Sequence, residues 1–294
     1  MKPSISLVIC TRNRAPQLER TLHACQNLVF DRPWEIVIIN NGSTDQTADA
    51  IHRFANRSNL QVIQCHEARP GLSHARNRGI QQAQAPIIVF TDDDCYPDPT
   101  FLTRIWHCMA DTNIVFCGGR VRLFDPADQP ITIQESTQPR RFESAEGFTS
   151  GLILGANMSI RRDALLACRG FDERMGAGSR FKSGEDTDLL RRLLEKGFTG
   201  VYDPDVVVFH HHGRQTDADR LRLIKTYSWG RGATMAKRLL TQPAKNQILK
   251  SWYWHLRGVT LAQAWRELFS ASLFAAYTGF SSKRCKHHPA DSLR

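Results

Sequence analysis

Three consecutive carboxylates, Asp92-Asp93-Asp94, stand directly after the apolar run Ile87-Ile88-Val89-Phe90. Like charges packed this closely repel and need a cation among them. Hard carboxylate oxygens suit Mg²⁺ or Mn²⁺, which share one or two carboxylates with substrate phosphates. A second acidic pair, Glu185-Asp186, opens a stretch in which Asp186, Leu189, Leu190 and Leu193 fall at i, i+3, i+4 and i+7. That spacing predicts a helix with Asp186 on the leucine face, where the helix dipole favours the ionised carboxylate and suits it to act as a general base. A run of histidines, His210-His211-His212, ends the apolar stretch 206–209. In a strand His210 and His212 share one side, and either could add a nitrogen ligand to a carboxylate-held metal.

These groups need elements to hold them. Residues 4–10, 35–39, 60–65 and 87–90 read as short buried strands, separated by helices near 16–28, 45–55 and 71–83. Strands alternating with helices predict a mostly parallel sheet with right-handed crossovers. Ligands of such sheets bind beyond the carboxyl ends of the strands. The polar clusters Thr11-Arg12, Asn40-Asn41 and Asp92–Asp94 are therefore expected along one edge. Further on, 113–123, 152–160 and 206–209 read as strands and 185–196 as a helix. Residues 217–240, 244–257 and 260–278 read as three more helices. The segment 124–148, rich in Pro, Gln and charge, reads as loop and short strand.

Length and composition bound the rest. A chain of 294 residues with 41% hydrophobic content can bury one large core, with or without an appendage. The net charge of +10 is uneven: residues 214–294 carry 15 Lys+Arg against 4 Asp+Glu, and the remainder 24 against 25. This basic segment also holds Trp252, Tyr253, Trp254, Trp265, Phe269 and Phe274. Its expected partner is an anionic membrane surface rather than nucleic acid, with packing on the body or in a homodimer as the alternative. The eight cysteines form no Cys-x-x-Cys pair, which predicts reduced, buried thiols in the cytoplasm rather than disulfides or a zinc site. No signal-peptide pattern and no uninterrupted apolar run of 18 or more residues is read, so a peripheral position on the inner membrane face is the expectation.

Seven pieces in order carry a resemblance: Val8-Ile-Cys-Thr-Arg-Asn-Arg, Asn40-Asn-Gly-Ser-Thr-Asp, Gly71-Leu-Ser-His-Ala-Arg-Asn-Arg-Gly, Phe90-Thr-Asp-Asp-Asp-Cys, Gly155-Ala-Asn-Met-Ser, Gly170-Phe-Asp-Glu and Gly184-Glu-Asp-Thr-Asp-Leu. The chain resembles the family 2 glycosyltransferases of GT-A fold over residues 4 to about 213. The resemblance implies an α/β, Rossmann-like GT-A domain at 1–213, with a nucleotide-binding half at 1–112 and an acceptor and catalytic half at 113–213. A helical extension at 214–294 lies outside it. It implies an inverting, metal-dependent, hexosyltransferase-like enzyme. Such an enzyme moves a sugar from a nucleotide-diphosphate sugar to a saccharide or lipid-linked acceptor, in cell-surface polysaccharide or glycolipid synthesis.

By the same resemblance, Cys10, Thr11 and Arg12 line the base. Asn40 and Asn41 stand where the family commonly has a base- or ribose-bonding Asp. Arg76 lies near the nucleotide. Asp92, with Asp93 beside it, and Asp94 match the DxD pair, with Asp94 reaching the metal. His210 or His212 assists that metal. Asp186 is the catalytic base with Glu185 beside it, and Gly155, Ala156 and Asn157 form the acceptor and donor-sugar loop. The rival expectations are a nucleotidyltransferase, which lacks here a Gly-rich triphosphate loop after the first strand, and a non-catalytic carbohydrate- or nucleotide-binding protein.

Overall fold

The computed structural model describes residues 2–284; Cys285 and the rest of the basic tail lie outside the described residues. The chain forms two compact units, one of residues up to 173 with 185–217, the other of 174–184 with 218 onward.

The first unit is built on a nine-stranded sheet in the order β3-β2-β1-β4-β8-β6-β9-β5, with β7 paired to β9. Strands β1 (Ile5–Thr11), β2 (Trp34–Asn40), β3 (Gln61–His66) and β4 (Ile87–Asp92) are all parallel. β1, β2 and β4 are nearly continuous apolar runs because both faces of the sheet are covered there, whereas β3, at the edge, mixes polar and apolar residues and buries none of them fully. Alternate residues serve opposite cores. Ile5, Leu7 and Ile9 pack with Leu18, Leu22 and Cys25 of α1 (Ala15–Gln26), Ile51 of α2 (Thr47–Arg57) and Phe101 and Ile105 of α4 (Phe101–Cys108). Val8 and Phe90 pack on the other face with Ala75 and Ile80 of α3 (Leu72–Gln82), Leu165 of α5 (Arg162–Ala167) and Leu189, Leu190 and Leu193 of α6 (Glu185–Glu195). Helix α3 lies so close to β1 that a Cβ on Gly79 would stand 2.5 Å from Val8 Cγ1, so a larger residue there would displace Val8.

The far half of the sheet is mixed. Strand β8 (Met158–Arg161) runs antiparallel to β4 and to β6 (Ile114–Leu123), and β9 (Thr199–His210) is parallel to β6. Two short strands, β5 (Cys95–Pro97) and β7 (Arg140–Phe142), pair antiparallel with β9. The stretch expected as a strand from 152 is loop as far as Asn157, and the strand begins only at Met158.

The second unit is helical: α7 (Asp217–Thr241, whose first residue belongs to the first unit), α8 (Lys245–Arg257) and α9 (Leu261–Arg284). Its core is Met175, Phe181, Ala233, Ala236, Trp252, Ala271 and Phe274. Residues 174–184, which the sequence reading assigned to the catalytic segment, belong to this unit through side chains such as Met175 and Phe181. Glu267, fully buried, ties the helices together: it accepts hydrogen bonds from Arg231 Nη1 (3.2 Å) and Trp252 Nε1 (3.1 Å) and lies 3.1 Å from His255 Nε2. No described helix is long and apolar enough to cross a membrane.

Candidate active site

Parallel register brings three polar clusters to one edge. Cys10 lies beside Asp92 across β1–β4, and Thr11 beside Asn40 across β1–β2. The chain then passes from Asp92 through Asp93 and Asp94 into β5, where Cys95 faces His210 in antiparallel register. That register, not proximity in sequence, puts His210 Nε2 at 3.3 Å from Asp94 Oδ1. The backbone N–H of His211 donates to the Asp94 carbonyl (2.9 Å) and pins the loop.

The cations demanded by three adjacent carboxylates are present. Arg14 sets Nε 3.1 Å from Asp93 Oδ1 and Nη2 2.5 Å from Asp94 Oδ2. Arg76, on α3, donates from Nη2 to Asp92 Oδ1 (3.2 Å) and from Nη1 to Glu185 Oε1 (2.9 Å), with its guanidinium 5.4 Å from the Phe171 ring centroid. Gly155 passes beside it, and a Cβ there would stand 2.7 Å from Arg76 Nη2.

This arrangement separates neighbouring acids. Burial pushes Asp93 up to about 7, with Arg14 opposing and the charge of Asp94 adding. Burial acts the same way on Asp94, but the hydrogen bond and charge of His210 and the charge of Arg14 outweigh it and hold that carboxyl down to about 2. His210 rises in turn, because Asp94 outweighs the cost of burying the imidazolium. Burial, with the charge of Asp186, pushes Glu185 upward, and Arg76 offsets only part of this. Cys10 is driven up to about 12 by burial despite Arg76, so its thiol is an inert wall rather than a nucleophile.

The donors suit a divalent cation. Among the described residues one group of ligand atoms lies mutually within 4.8 Å: Asp94, Cys95 and His210. Burial holds the Cys95 thiol well above its ordinary value, which leaves the carboxylate and imidazole as the ready donors. His210 Nδ1 faces Thr132 Oγ1 (3.2 Å) and the Thr132 carbonyl (3.5 Å), the outer contact that orients a metal-binding histidine.

The structure revises several expected assignments. Asn41 is buried and fully engaged with the backbone. It donates to the carbonyls of Glu67 (2.9 Å) and Arg69 (2.7 Å) and accepts from Gly71 N–H (2.9 Å), so it staples the loop before α3 and has no amide hydrogen left for a base. Asn40 Oδ1 accepts from Ser43 N–H (2.9 Å) within its own turn. Arg12 is exposed, and Arg14, two residues on, is the cation that reaches the acidic loop. His212 is taken by the fold: Nδ1 accepts from Arg214 N–H (3.0 Å) and Nε2 faces the Gln129 carbonyl (3.1 Å), so it is not a metal donor as it stands. Asn157 donates to the carbonyls of Arg120 and Val206 (2.9 Å each), cross-linking β8 to its neighbours, and Ala156 is in the core.

Only Gly155 of that loop reaches the acidic groups, donating from its N–H to Asp186 Oδ2 (3.1 Å). Asp186, at the first turn of α6, is only half-buried, and Glu185 beside it is buried. Helix α6 is buried at 185, 187–191, 193 and 194, and a helix covered nearly all round offers no single inward face for periodicity to find. Arg14 and Thr132 were not singled out from sequence. The need for a cation among the carboxylates was a usable signal for Arg14, whereas nothing local marks Thr132.

The fold is that of the GT-A glycosyltransferases. The mannosyltransferase PcManGT of Pyrobaculum calidifontis, solved in complex with GDP-Man and Mn²⁺, superposes with a TM-score of 0.65 at 22% identity, covering 100% of this chain and 77% of its own. Residues 1–349 of TarS from S. aureus, in complex with UDP-GlcNAc, give 0.60 at 17% identity, covering 95% of this chain and 76% of that one. The Glycosyl transferase family 2 model matches residues 6–168, and the chain belongs to that family. Curated relatives include the glycosyltransferase AglE of Haloferax volcanii, 24% identical over 71% of this chain and 67% of AglE. The pre-mycofactocin glycosyltransferase of Mycobacterium tuberculosis is 24% identical over 72% of this chain but only 43% of its own length.

Proposed function

We propose that the chain is an inverting glycosyltransferase that moves a hexosyl group from a nucleotide-diphosphate sugar to an acceptor hydroxyl. One observation carries this reading: two acidic stations with different partners stand among residues brought together by the carboxyl edge of the sheet. Asp94 is held ionised by cations and faces an imidazole; Asp186 is half-buried, with Oδ1 accepting from Thr187 N–H and Oγ1–H and Oδ2 accepting only from Gly155 N–H, which leaves a lone pair on Oδ2.

In this mechanism Asp186 accepts the proton of the acceptor hydroxyl, and that oxygen attacks the anomeric carbon opposite the nucleotide, inverting its configuration. Glu185 and Asp92 hold Arg76 in the donor site, and Asp92 bonds the ribose or base. Asp94 and His210 would hold a divalent cation, Mg²⁺ or Mn²⁺, whose chemistry is to offset the charge gathering on the departing diphosphate. The donors printed with the two solved neighbours, GDP-Man and UDP-GlcNAc, are both of the proposed class.

The acceptor is a saccharide or lipid-linked saccharide, and the role is in cell-surface polysaccharide or glycolipid synthesis at the inner face of the membrane. Supporting the membrane contact, eleven of the fourteen large hydrophobic side chains that stand exposed among the described residues lie in the helical unit. Trp254 (59% exposed) and Trp265 (71%) are among them, near exposed Lys250 and Arg257.

The test is calorimetric titration of UDP, GDP, TDP and CDP, with and without Mn²⁺, into wild type, Asp94→Ala and Asp186→Asn. One nucleotide is expected to bind only with the cation and only when Asp94 is present. Asp186→Asn is expected to keep that binding and lose sugar transfer. Folded wild type that binds none of the four would remove the reading.

A further inference from the structure

The acidic loop is served by two arginines of different character. Arg76 has a side chain only 4% exposed, held between Asp92 and Glu185, over Phe171 and against Gly155. It is a fixed part of the floor. Arg14 has a side chain 31% exposed, and among the described residues its guanidinium pairs with the carboxylates of Asp93 and Asp94. Its backbone, by contrast, is clamped. Asn13 before it is in the left-handed region (φ 54°), with Oδ1 accepting from Thr44 N–H (2.7 Å). Arg14 N–H donates to Thr47 Oγ1 (3.2 Å), and its carbonyl accepts the N–H of Leu18 (2.9 Å) to start α1. A fixed root and a solvent-reaching head suit a side chain that changes partners without moving the chain.

Arg14 sits on Oδ2 of the carboxylate whose Oδ1 faces His210. A divalent cation held by Asp94 and His210 would share that carboxylate with a guanidinium, and like charges so close repel. Asp94 cannot serve both fully. A diphosphate arriving with the cation offers Arg14 a replacement, since a guanidinium pairs with phosphate oxygens as it does with carboxylate.

We propose that Arg14 is an exchange cation. It neutralises Asp93 and Asp94 while the donor is absent, and it gives up Asp94 to pair with the donor's diphosphate when donor and metal arrive together. Arg14 is thus a positioning residue that disfavours metal alone and favours metal with diphosphate. This inference rests on the diphosphate site proposed above and adds the order of loading to it.

The experiment is Mn²⁺ binding to the full chain by electron paramagnetic resonance, first alone and then with UDP, GDP, TDP and CDP in turn, for wild type, Arg14→Met and Arg14→Lys. Arg53→Met, which breaks the surface pair with Glu19, is the control. In Arg14→Met, Mn²⁺ alone is expected to bind about tenfold more tightly and the nucleotide diphosphate about tenfold more weakly. Arg14→Lys, which keeps the charge without the fork, is expected to stay near wild type for Mn²⁺ alone and to fall between the two for the nucleotide. The opposite signs are the signature, because a merely structural role would weaken both. Shifts in the same direction, or none in either, overturn the exchange. If Arg14→Met does not fold, Arg14→Lys carries the test, and nucleotide affinity equal to wild type overturns it. Wild type that binds neither probe refutes the diphosphate site itself, which separates that failure from failure of the exchange.

Discussion

Replacing Arg76 by methionine tests the construction of the site floor. Arg76 makes two ion pairs in a buried place, at 3.2 Å to Asp92 and 2.9 Å to Glu185. With charge centres about 4 Å apart and an effective dielectric of about 20, each pair is worth about 4 kcal/mol before desolvation. Methionine matches much of the length, so the cavity term is small and the loss is that of stranding carboxylates. The range for breaking a buried pair, about 3–5 kcal/mol, is expected. For a unit of this size that lowers Tm by roughly 6–20 °C.

The loss must depend on pH. Glu185 is already pushed upward by burial and by Asp186, and Arg76 is what holds it back. A carboxyl with a folded pKa above its unfolded one contributes stability fully below the unfolded value, and that contribution fades as pH rises through the folded value. Arg76→Met is therefore expected to be least harmful near pH 5, where Glu185 is protonated, and most harmful near pH 8. Thermal melts at both pH values, with Arg76→Met/Glu185→Gln alongside, decide the matter. The double variant is expected to recover much of the loss at pH 8 and little at pH 5. A deficit below about 1 kcal/mol, or one equal at the two pH values, would refute the reasoning.

Other outcomes can be checked on the same footing. Asp93→Asn is expected to flatten the pH dependence of stability: Asp93, raised to about 7, contributes most below pH 4 and loses that contribution as pH climbs toward 7 and beyond, so urea midpoints with equal slopes in both proteins would exclude it. Glu267→Met takes the carboxylate from the N–H donors of Trp252 and Arg231, and a loss of about 1–3 kcal/mol with altered tryptophan emission is expected on urea unfolding. Co-flotation with phosphatidylglycerol-containing vesicles is expected for wild type and to drop at least tenfold (about 1.4 kcal/mol) in Trp254→Ser/Trp265→Ser/Phe269→Ser. Absence of wild-type flotation, or flotation equal on neutral vesicles, would sink the membrane contact.

The parallel half of the fold was legible because β1, β2 and β4 are nearly continuous apolar runs ended by turn formers, and the strand-end rule then put Thr11, Asn40 and Asp92 on one edge. Helices α7 to α9 were legible from their length. Strand β5 is three residues ending in Pro97, too short for any periodicity, yet it sets the approach of His210 to Asp94. That approach joins residues more than a hundred positions apart, and no local pattern encodes it. Helix α5, of six residues, and the antiparallel placement of β8 escaped for the same reason.

Asparagine was the residue type most easily misread, and the geometry says why. From sequence, an amide standing where the family commonly has a carboxylate looks like a change of ligand. In the structure Asn41 answers to its own backbone: two of its hydrogens meet the carbonyls of Glu67 and Arg69, and its oxygen meets Gly71 N–H. A carboxylate could satisfy only the last of these and would face two carbonyl oxygens with no proton between them. The loop between β3 and α3, which delivers Arg76 to Asp92 and Glu185, therefore selects an amide at 41 whatever the base of the donor. Asn157 follows the same logic at the junction of β6, β8 and β9, where its amide hydrogens hold two carbonyls from neighbouring strands. Both asparagines have spent their amide hydrogens on the fold, so neither can donate to a base. Under the proposed function, discrimination among bases would fall to groups whose polar atoms the fold has not already consumed, and exposed Arg12, directly after β1, is the first to examine.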